Sequence, residues 1–117
     1  MARHFVKGEQ PSRVADFYLE AGNAARGAYQ NQLAMRYYRR CIDLLDEGDT
    51  RQLSAHEALE AIYRLLGRQS RRRKQLQTFR KTAKLSGNAW WISLALMRSA
   101  LFSYDENQFT ECVTLFA

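Results

Sequence analysis

The sequence contains few side chains of the kinds that perform acid–base or metal-dependent catalysis. Histidine, the most common general acid or base, occurs only as His4 and His56. Neither has a cysteine, aspartate or serine at a spacing that would bring the two side chains together on a helix face. Glu57 follows His56, but Glu60 stands where the zinc motif HExxH needs its second histidine. These observations predict that the chain is not an enzyme.

Motifs for metals and cofactors are not indicated either. The phosphate-binding loop GxxxxGK[ST] and the kinase motifs HRD and DFG do not occur in the sequence. Acidic residues gather between positions 43 and 49 without an EF-hand loop, as is typical of a solvated helix end. Cys41 and Cys112 have no CxxC or Cys–His spacing, so we expect small buried residues in a reducing compartment. The sequence therefore predicts no cofactor and no metal ion.

The most distinctive chemistry is a basic run, "GRQSRRRKQLQTFRKTAK", over residues 67–84, which contains no acidic residue. Its basic side chains are Arg68, Arg71, Arg72, Arg73, Lys74, Arg80, Lys81 and Lys84. Phe79 is the one aromatic residue in the run, whereas nucleic-acid surfaces usually interleave several aromatic or polar side chains with the basic ones. We therefore favour a solvated helix face that contacts an acidic protein partner, and we keep nucleic-acid binding as the alternative.

Composition indicates which class of protein contains this basic run. The chain has 117 residues, of which 46% are hydrophobic and 26% charged, as expected for one folded domain. The net charge is +6 and the sequence pI is about 9.7, which permits attraction to acidic protein, nucleic acid or anionic lipid. No apolar segment of a signal peptide follows the first residues, and the apolar stretch 89–102 is shorter than a membrane span. A cytoplasmic protein without a membrane partner is predicted.

Apolar residues recur at helical spacing along nearly the whole chain, and no stretch alternates with period two. An all-α fold is therefore predicted, with helices near 12–28, 31–47, 53–66, 70–85, 88–104 and 108–116.

Local chemistry suggests the ends of these helices. Pro11 suits a first turn, residues 54–57 have the spacing of a capping box, and Ser70 is expected to cap the basic helix. Gly67 and Gly87, like Gly48, are expected to follow helix ends, and the first helix is expected to break near residues 22–23.

The spacing of large and small residues resembles the tetratricopeptide repeat. The first copy comprises Tyr18, Ala21, Gly22, Ala25, Ala34, Tyr38 and Cys41. A second, less faithful copy comprises Leu59, Tyr63, Gly67, Leu76 and Phe79, and a third comprises Leu96, Ala100, Asn107, Phe109, Cys112 and Phe116. The resemblance implies a right-handed stack of about three antiparallel helical hairpins, a fragment of an α-solenoid, with hairpins near 12–47, 53–85 and 88–116.

Two residues depart from the repeat pattern in the second copy. Glu60 occupies the position of Gly22, and Arg72 occupies the position of Ala34. Because small residues at these positions let the two helices of a hairpin approach closely, we expect loose packing in the second hairpin. On the same argument, we expect Arg72→Ala to cost little stability.

The stretches "AGNAARGAYQNQLAMRYYRRCIDLLDEGD" and "ALEAIYRLLGRQ" are similar to repeat arrays at the C-terminal ends of large bacterial signalling proteins, such as Ser/Thr kinases and STAND-type regulatory ATPases. This resemblance implies a scaffold or partner-sensing module that binds a protein or peptide. Its groove would be lined by Asn23, Arg26, Glu57, Ala61, Arg64, Met97, Leu101 and Tyr104. Asn23 matches a carboxylate clamp of some such domains, but Ala61 and Leu101 at the equivalent positions leave that clamp incomplete.

Both ends of the sequence are apolar where a repeat array normally carries a polar cap. Phe5 and Val6 precede Gly8, and Val113 to Phe116 continue a helical pattern. We therefore expect a fragment of a longer array, which self-associates through residues near Trp90, Leu101, Phe109 and Phe116 or loses order over its last helix. A structural spacer within a larger regulator is a third possibility, beside protein binding and nucleic-acid binding. Trp90 and Trp91 are expected to pack in the core rather than to form a stacking platform.

Overall fold

The computed structural model describes residues 10–116, with side-chain surroundings for residues 11–107. Within this range the chain forms five helices and no strand: α1 (Gln10–Gly27), α2 (Asn31–Leu44), α3 (Thr50–Leu65), α4 (Gln69–Ser86) and α5 (Ala89–Phe116). Each helix packs chiefly on the next one along the chain, and α1 also touches α3. The predicted all-α class is confirmed. Short connections make α1–α2 and α3–α4 two helical hairpins.

The third predicted hairpin is wrong, because residues 89–116 form one continuous helix. The expected turn lay near the polar residues 105–107, which contain neither Gly nor Pro. Asp105 and Glu106 instead form ion pairs with Arg72 and Arg73 of α4. These ion pairs hold Asp105 and Glu106 against α4 as part of the continuous helix α5. The described chain is therefore two helical hairpins followed by one long helix.

Helix starts differ from the local signals in the sequence. Asp49 caps α3, because its side chain accepts a hydrogen bond of 2.9 Å from the backbone N–H of Arg51. The expected capping box at 54–57 therefore lies inside α3, and Ser70 lies inside α4, whose first turn has no side-chain cap. The expected break near residues 22–23 is absent, since α1 runs unbroken to Gly27.

Helix ends follow the glycines more closely. Gly87 comes directly after α4, and Gly67 follows Leu66, the C-cap of α3. The two glycines have φ angles of 69° and 70°, a left-handed conformation that other residues rarely adopt. The expected ends at these two positions are confirmed. Helix α2 ends earlier than expected, at Leu44, so Gly48 with its φ of 93° belongs to the loop before α3.

The predicted close approach within the first hairpin is present at Gly22. A Cβ atom built on Gly22 would lie 2.8 Å from Cε1 of Tyr38, which is fully buried. The Tyr38 hydroxyl donates a hydrogen bond of 2.6 Å to the Oδ1 atom of Asn23. The absence of a side chain at position 22 therefore makes room for the tyrosine ring.

The core consists of two apolar clusters, and both contain residues of α3. The first joins α1, α2 and α3 and contains Ala15, Ala25, Ala34, Met35, Tyr38, Cys41, Leu45, Ala55, Ala58, Leu59, Ile62 and Tyr63. The second joins α3, α4 and α5 and contains Leu53, Leu76, Phe79, Ala83, Ala95 and Phe102. Helix α3 is thus the centre of the fold. Cys41 is buried as expected, whereas Cys112 lies outside the described side chains.

Candidate functional site

The interior between α3, α4 and α5 holds a group of charged side chains, which we call the ion cluster: Glu57, Glu60, Arg72, Arg98 and Asp105. Arg72 donates from Nε to Glu60 Oε2 at 2.8 Å and from Nη1 to Asp105 Oδ2 at 3.1 Å. Arg98 donates from Nη1 to Glu60 Oε1 and from Nη2 to Glu57 Oε2, both at 2.6 Å. Each carboxylate oxygen of Glu60 therefore has its own guanidinium donor.

Burial makes this pairing essential. The Glu60 side chain is 0% exposed and that of Arg72 is 2% exposed, and an unpaired charge at such a site is very unfavourable. The Arg72 guanidinium also lies 4.9 Å from the centroid of the Phe102 ring, within cation–π range. Burial opposes the charge on Arg98, but hydrogen bonds to Glu60 and Glu57 outweigh it and raise the pKa of Arg98.

The ion cluster corrects two expectations from the sequence. The second hairpin is not loosely packed where it departs from the repeat pattern, because Glu60 and Arg72 are both fully buried and bind each other. Arg72 therefore does not belong to the exposed basic patch. Its position was visible in the sequence, since Arg72 lies one helical turn before Leu76 on the same stripe as Phe79.

A second feature is a concave surface on the side of α1, α3 and α5, which we call the basic cavity. Its volume is about 710 Å³, and its lining is Arg26, Tyr29, Asn31, Ala61, Ile62, Arg64, Leu65 and Arg98. Three of the predicted groove residues, Arg26, Ala61 and Arg64, meet there. No acidic side chain is part of this lining. Arg64 lies 3.8 Å from a carboxylate oxygen of Asp105, so its charge is only loosely engaged.

The other predicted groove residues have different surroundings. Asn23 accepts the hydrogen bond from Tyr38, and Glu57 pairs with Arg98 of the ion cluster. Met97, Leu101 and Tyr104 do not line the basic cavity, and Met97 and Tyr104 are each 60% exposed on α5. The third part of the groove was assigned to a hairpin that does not form.

The basic run divides into parts with different neighbours. Arg72 is buried, and Arg73 pairs with Glu106. Arg71 and Lys74 line a shallow cavity of about 350 Å³ together with Tyr63, Gln75 and Thr78. The remaining exposed cations toward the end of α4 border a groove against α5, whose lining is Gln77, Arg80, Lys81, Lys84, Ile92, Ala95 and Leu96. Arg68 is also exposed, at the N-cap of α4.

The tryptophan pair is split between interior and surface. Trp91 is half-buried and packs edge-on against Phe79, with ring centroids 6.1 Å apart, as expected for a core residue. Trp90 is 63% exposed, so the expectation of core packing is wrong for this residue. The self-association expected at Phe109 and Phe116, and at the start of the chain near Phe5, concerns side chains outside the described residues.

His56 is buried on α3 and faces α4. Its Nδ1 atom lies 2.7 Å from Nε2 of Gln75, and burial lowers the pKa of His56 to about 4. A neutral ring can accept a hydrogen bond from the Gln75 amide, which fits this lowered pKa. Among the side chains of residues 11–107, no group of three or more His, Cys, Asp or Glu is arranged to hold a metal ion. No helix in the described part of the chain is long and apolar enough to cross a membrane.

No protein-family model matches the chain, and no curated protein or solved structure matches it either. The likeness to tetratricopeptide repeats therefore rests on the residue pattern alone. What the geometry adds is the sequential packing of helices and three concave surfaces lined by basic side chains.

Proposed function

We propose that the chain is a protein–protein interaction module, a piece of a tetratricopeptide-like right-handed α-solenoid that binds an acidic segment of a partner in the basic cavity. The observation that carries this proposal is the convergence of Arg26, Arg64 and Arg98, from three different helices, on one concavity without an acidic lining residue. Sequential helix packing and the close approach at Gly22 support the repeat interpretation. The module would act as a scaffold or partner sensor in a cytoplasmic signalling protein, without catalysis of its own.

The three arginines suit this role in different ways. A guanidinium binds a carboxylate through two parallel hydrogen bonds, so arginine is well suited to acidic peptides. Arg98 is fixed by Glu57 and Glu60, whose carboxylates neutralise its charge, so it forms part of the cavity wall rather than a contact for the partner's carboxylates. Arg26 and Arg64 are exposed, and a partner carboxylate would compete with Asp105 for Arg64. Ala61 leaves space between them for the incoming chain.

An array of short immobilised peptides of matched apolar content tests this proposal. We expect the intact chain to bind the acidic peptides in preference to neutral and basic ones, and to lose that binding as salt rises. Arg26→Gln with Arg64→Gln should weaken binding by about tenfold or more. Arg36→Gln with Arg40→Gln removes the same charge from the exposed face of α2 and should change it little. Equal losses from both pairs would show that only net charge matters and would refute the site.

Nucleic-acid binding through α4 is the second candidate, favoured by the absence of any acidic residue between Glu60 and Asp105. Fluorescence anisotropy with duplex and single-stranded oligonucleotides tests it. Binding that falls steeply with salt and is abolished by Arg71→Gln with Lys74→Gln would replace the protein-binding proposal. Arg72 must be left intact in this test, because it is buried in the ion cluster.

A further inference from the structure

The groove between α4 and α5, which we call the α4–α5 groove, is a second concave surface separate from the basic cavity. Its volume is about 690 Å³. One wall is polar and basic, formed by Gln77, Arg80, Lys81 and Lys84, which follow the spacing of one helix face. The other wall is apolar, formed by Ile92, Ala95 and Leu96 on α5. The two surfaces share no lining residue.

The cations on this groove are not neutralised within the described structure. Other arginines of the same region form ion pairs with described acidic residues, as Arg72, Arg73 and Arg98 do. Among the described side chains, Arg80, Lys81 and Lys84 form no ion pair. Residues 61–104 include neither Asp nor Glu, so the helices that form the groove supply no acidic neighbour before Asp105. An anionic occupant would therefore meet charges without displacing an existing partner.

The apolar wall adds a second requirement on the occupant. Leu96 is 53% exposed although it borders a concave surface, and Ile92 beside it is half-buried. A single exposed leucine is ordinary, but here it lies opposite a row of cations one helical turn apart. The pair of walls matches a ligand that is apolar on one face and acidic along its edge.

We propose that the α4–α5 groove binds an acidic amphipathic helix of a partner protein. Apolar residues of that helix, at i, i+3 and i+4, would pack on Ile92 and Leu96, and carboxylates one turn apart would pair with Arg80 and Lys84. The concave shape favours a helix over a membrane surface. The groove has no described aromatic lining, which disfavours nucleic-acid bases.

The probe is a designed, fluorescently labelled helical peptide with leucines on one face and glutamates one turn apart beside them. Its matched control carries lysines in place of the glutamates. We expect the intact chain to raise the anisotropy of the acidic peptide and not that of the lysine peptide. Arg80→Glu with Lys84→Glu should weaken binding by about tenfold or more. Arg36→Glu with Arg40→Glu makes the same charge change on α2 and should leave binding nearly unchanged.

Further variants separate the groove from its alternatives. Leu96→Ser, which leaves the charge unchanged, should also weaken binding, whereas Arg26→Gln with Arg64→Gln should not. Circular dichroism verifies that each variant is folded. The proposal is overturned if both peptides bind alike, or if only the basic-cavity variants reduce binding. It is also overturned if anionic phosphatidylserine vesicles bind the groove and the peptide does not, or if Leu96→Ser abolishes self-association seen without peptide.

Discussion

The two helical hairpins hold their helices together with opposite chemistry. In the first, Gly22 and Ala34 are small, and the buried ring of Tyr38 fills the space that Gly22 leaves. In the second, Glu60 and Arg72 occupy the positions at the same sequence interval and form a buried ion pair. Two departures from a pattern, each unfavourable alone, can therefore compensate one another. A charged pair can take the place of two small residues at a helix–helix contact.

The two kinds of contact also differ in the number of helices that they join. The contact at Gly22 involves only α1 and α2, and the first apolar cluster surrounds it. The ion cluster extends from α3 through α4 to α5, because Glu60 also binds Arg98 and Arg72 also binds Asp105. The charged contact therefore fixes the long last helix on the second hairpin, which an apolar contact of two small residues could not do.

The largest expected effect is that of Arg72→Ala. Removing the guanidinium takes one partner from the buried Glu60 and one from Asp105, and it leaves a cavity beside Phe102. We expect a loss of about 3–5 kcal/mol in the free energy of unfolding, contrary to the expectation from the repeat pattern. Denaturation by urea measures it. A loss no larger than that of exposed Arg71→Ala would show that the cluster does not stabilise the fold.

The pH dependence of stability tests the interior of the second hairpin at His56. The folded-state pKa of about 4 lies below the ordinary value of 6.5, so the unfolded chain takes up a proton first as the pH falls. The free energy of unfolding therefore has its full value, as far as His56 is concerned, above pH 6.5. It falls progressively, by up to about 3 kcal/mol, as the pH is lowered toward 4. His56→Gln should flatten this slope between pH 6.5 and 4. An unchanged slope in the variant would contradict the assignment.

Overpacking at Gly22 tests the first hairpin. Gly22→Leu forces a side chain against the ring of Tyr38, so we expect a loss of roughly 1–3 kcal/mol or more in the free energy of unfolding. Gly27→Ala is the matched control, because nothing lies within 4 Å of a Cβ atom there. Thermal melts followed by circular dichroism compare the two. A neutral Gly22→Leu would remove the evidence that this contact is a close one.

Local sequence signals predicted the helices but not how the last one is bound. Periodicity correctly indicated an all-α chain, and Gly67 and Gly87 marked two helix ends. The turn expected near Asp105 did not form, because that residue pairs with Arg72, far away in sequence. Spacing along one helix cannot reveal a partner on another helix.

The candidate sites were predictable only in part, for the same reason. Arg26 and Arg64 occupy equivalent positions on the first helices of the two hairpins, and both meet Ala61 in one cavity. Arg72 was assigned to the exposed patch by composition, although its register with Leu76 pointed inward. The α4–α5 groove combines two helices whose sequences, taken separately, indicate only a basic face and an apolar segment.

A double-mutant cycle on Glu60 and Arg72 tests the compensation most directly, with Glu60→Leu, Arg72→Met and the double variant compared by urea denaturation. Each single variant leaves a buried charge with fewer partners, so we expect each to lose about 3–5 kcal/mol in the free energy of unfolding. The double variant replaces the pair by apolar side chains and should be more stable than either single variant. A double variant whose loss equals the sum of the two single losses would show that Glu60 and Arg72 do not compensate one another.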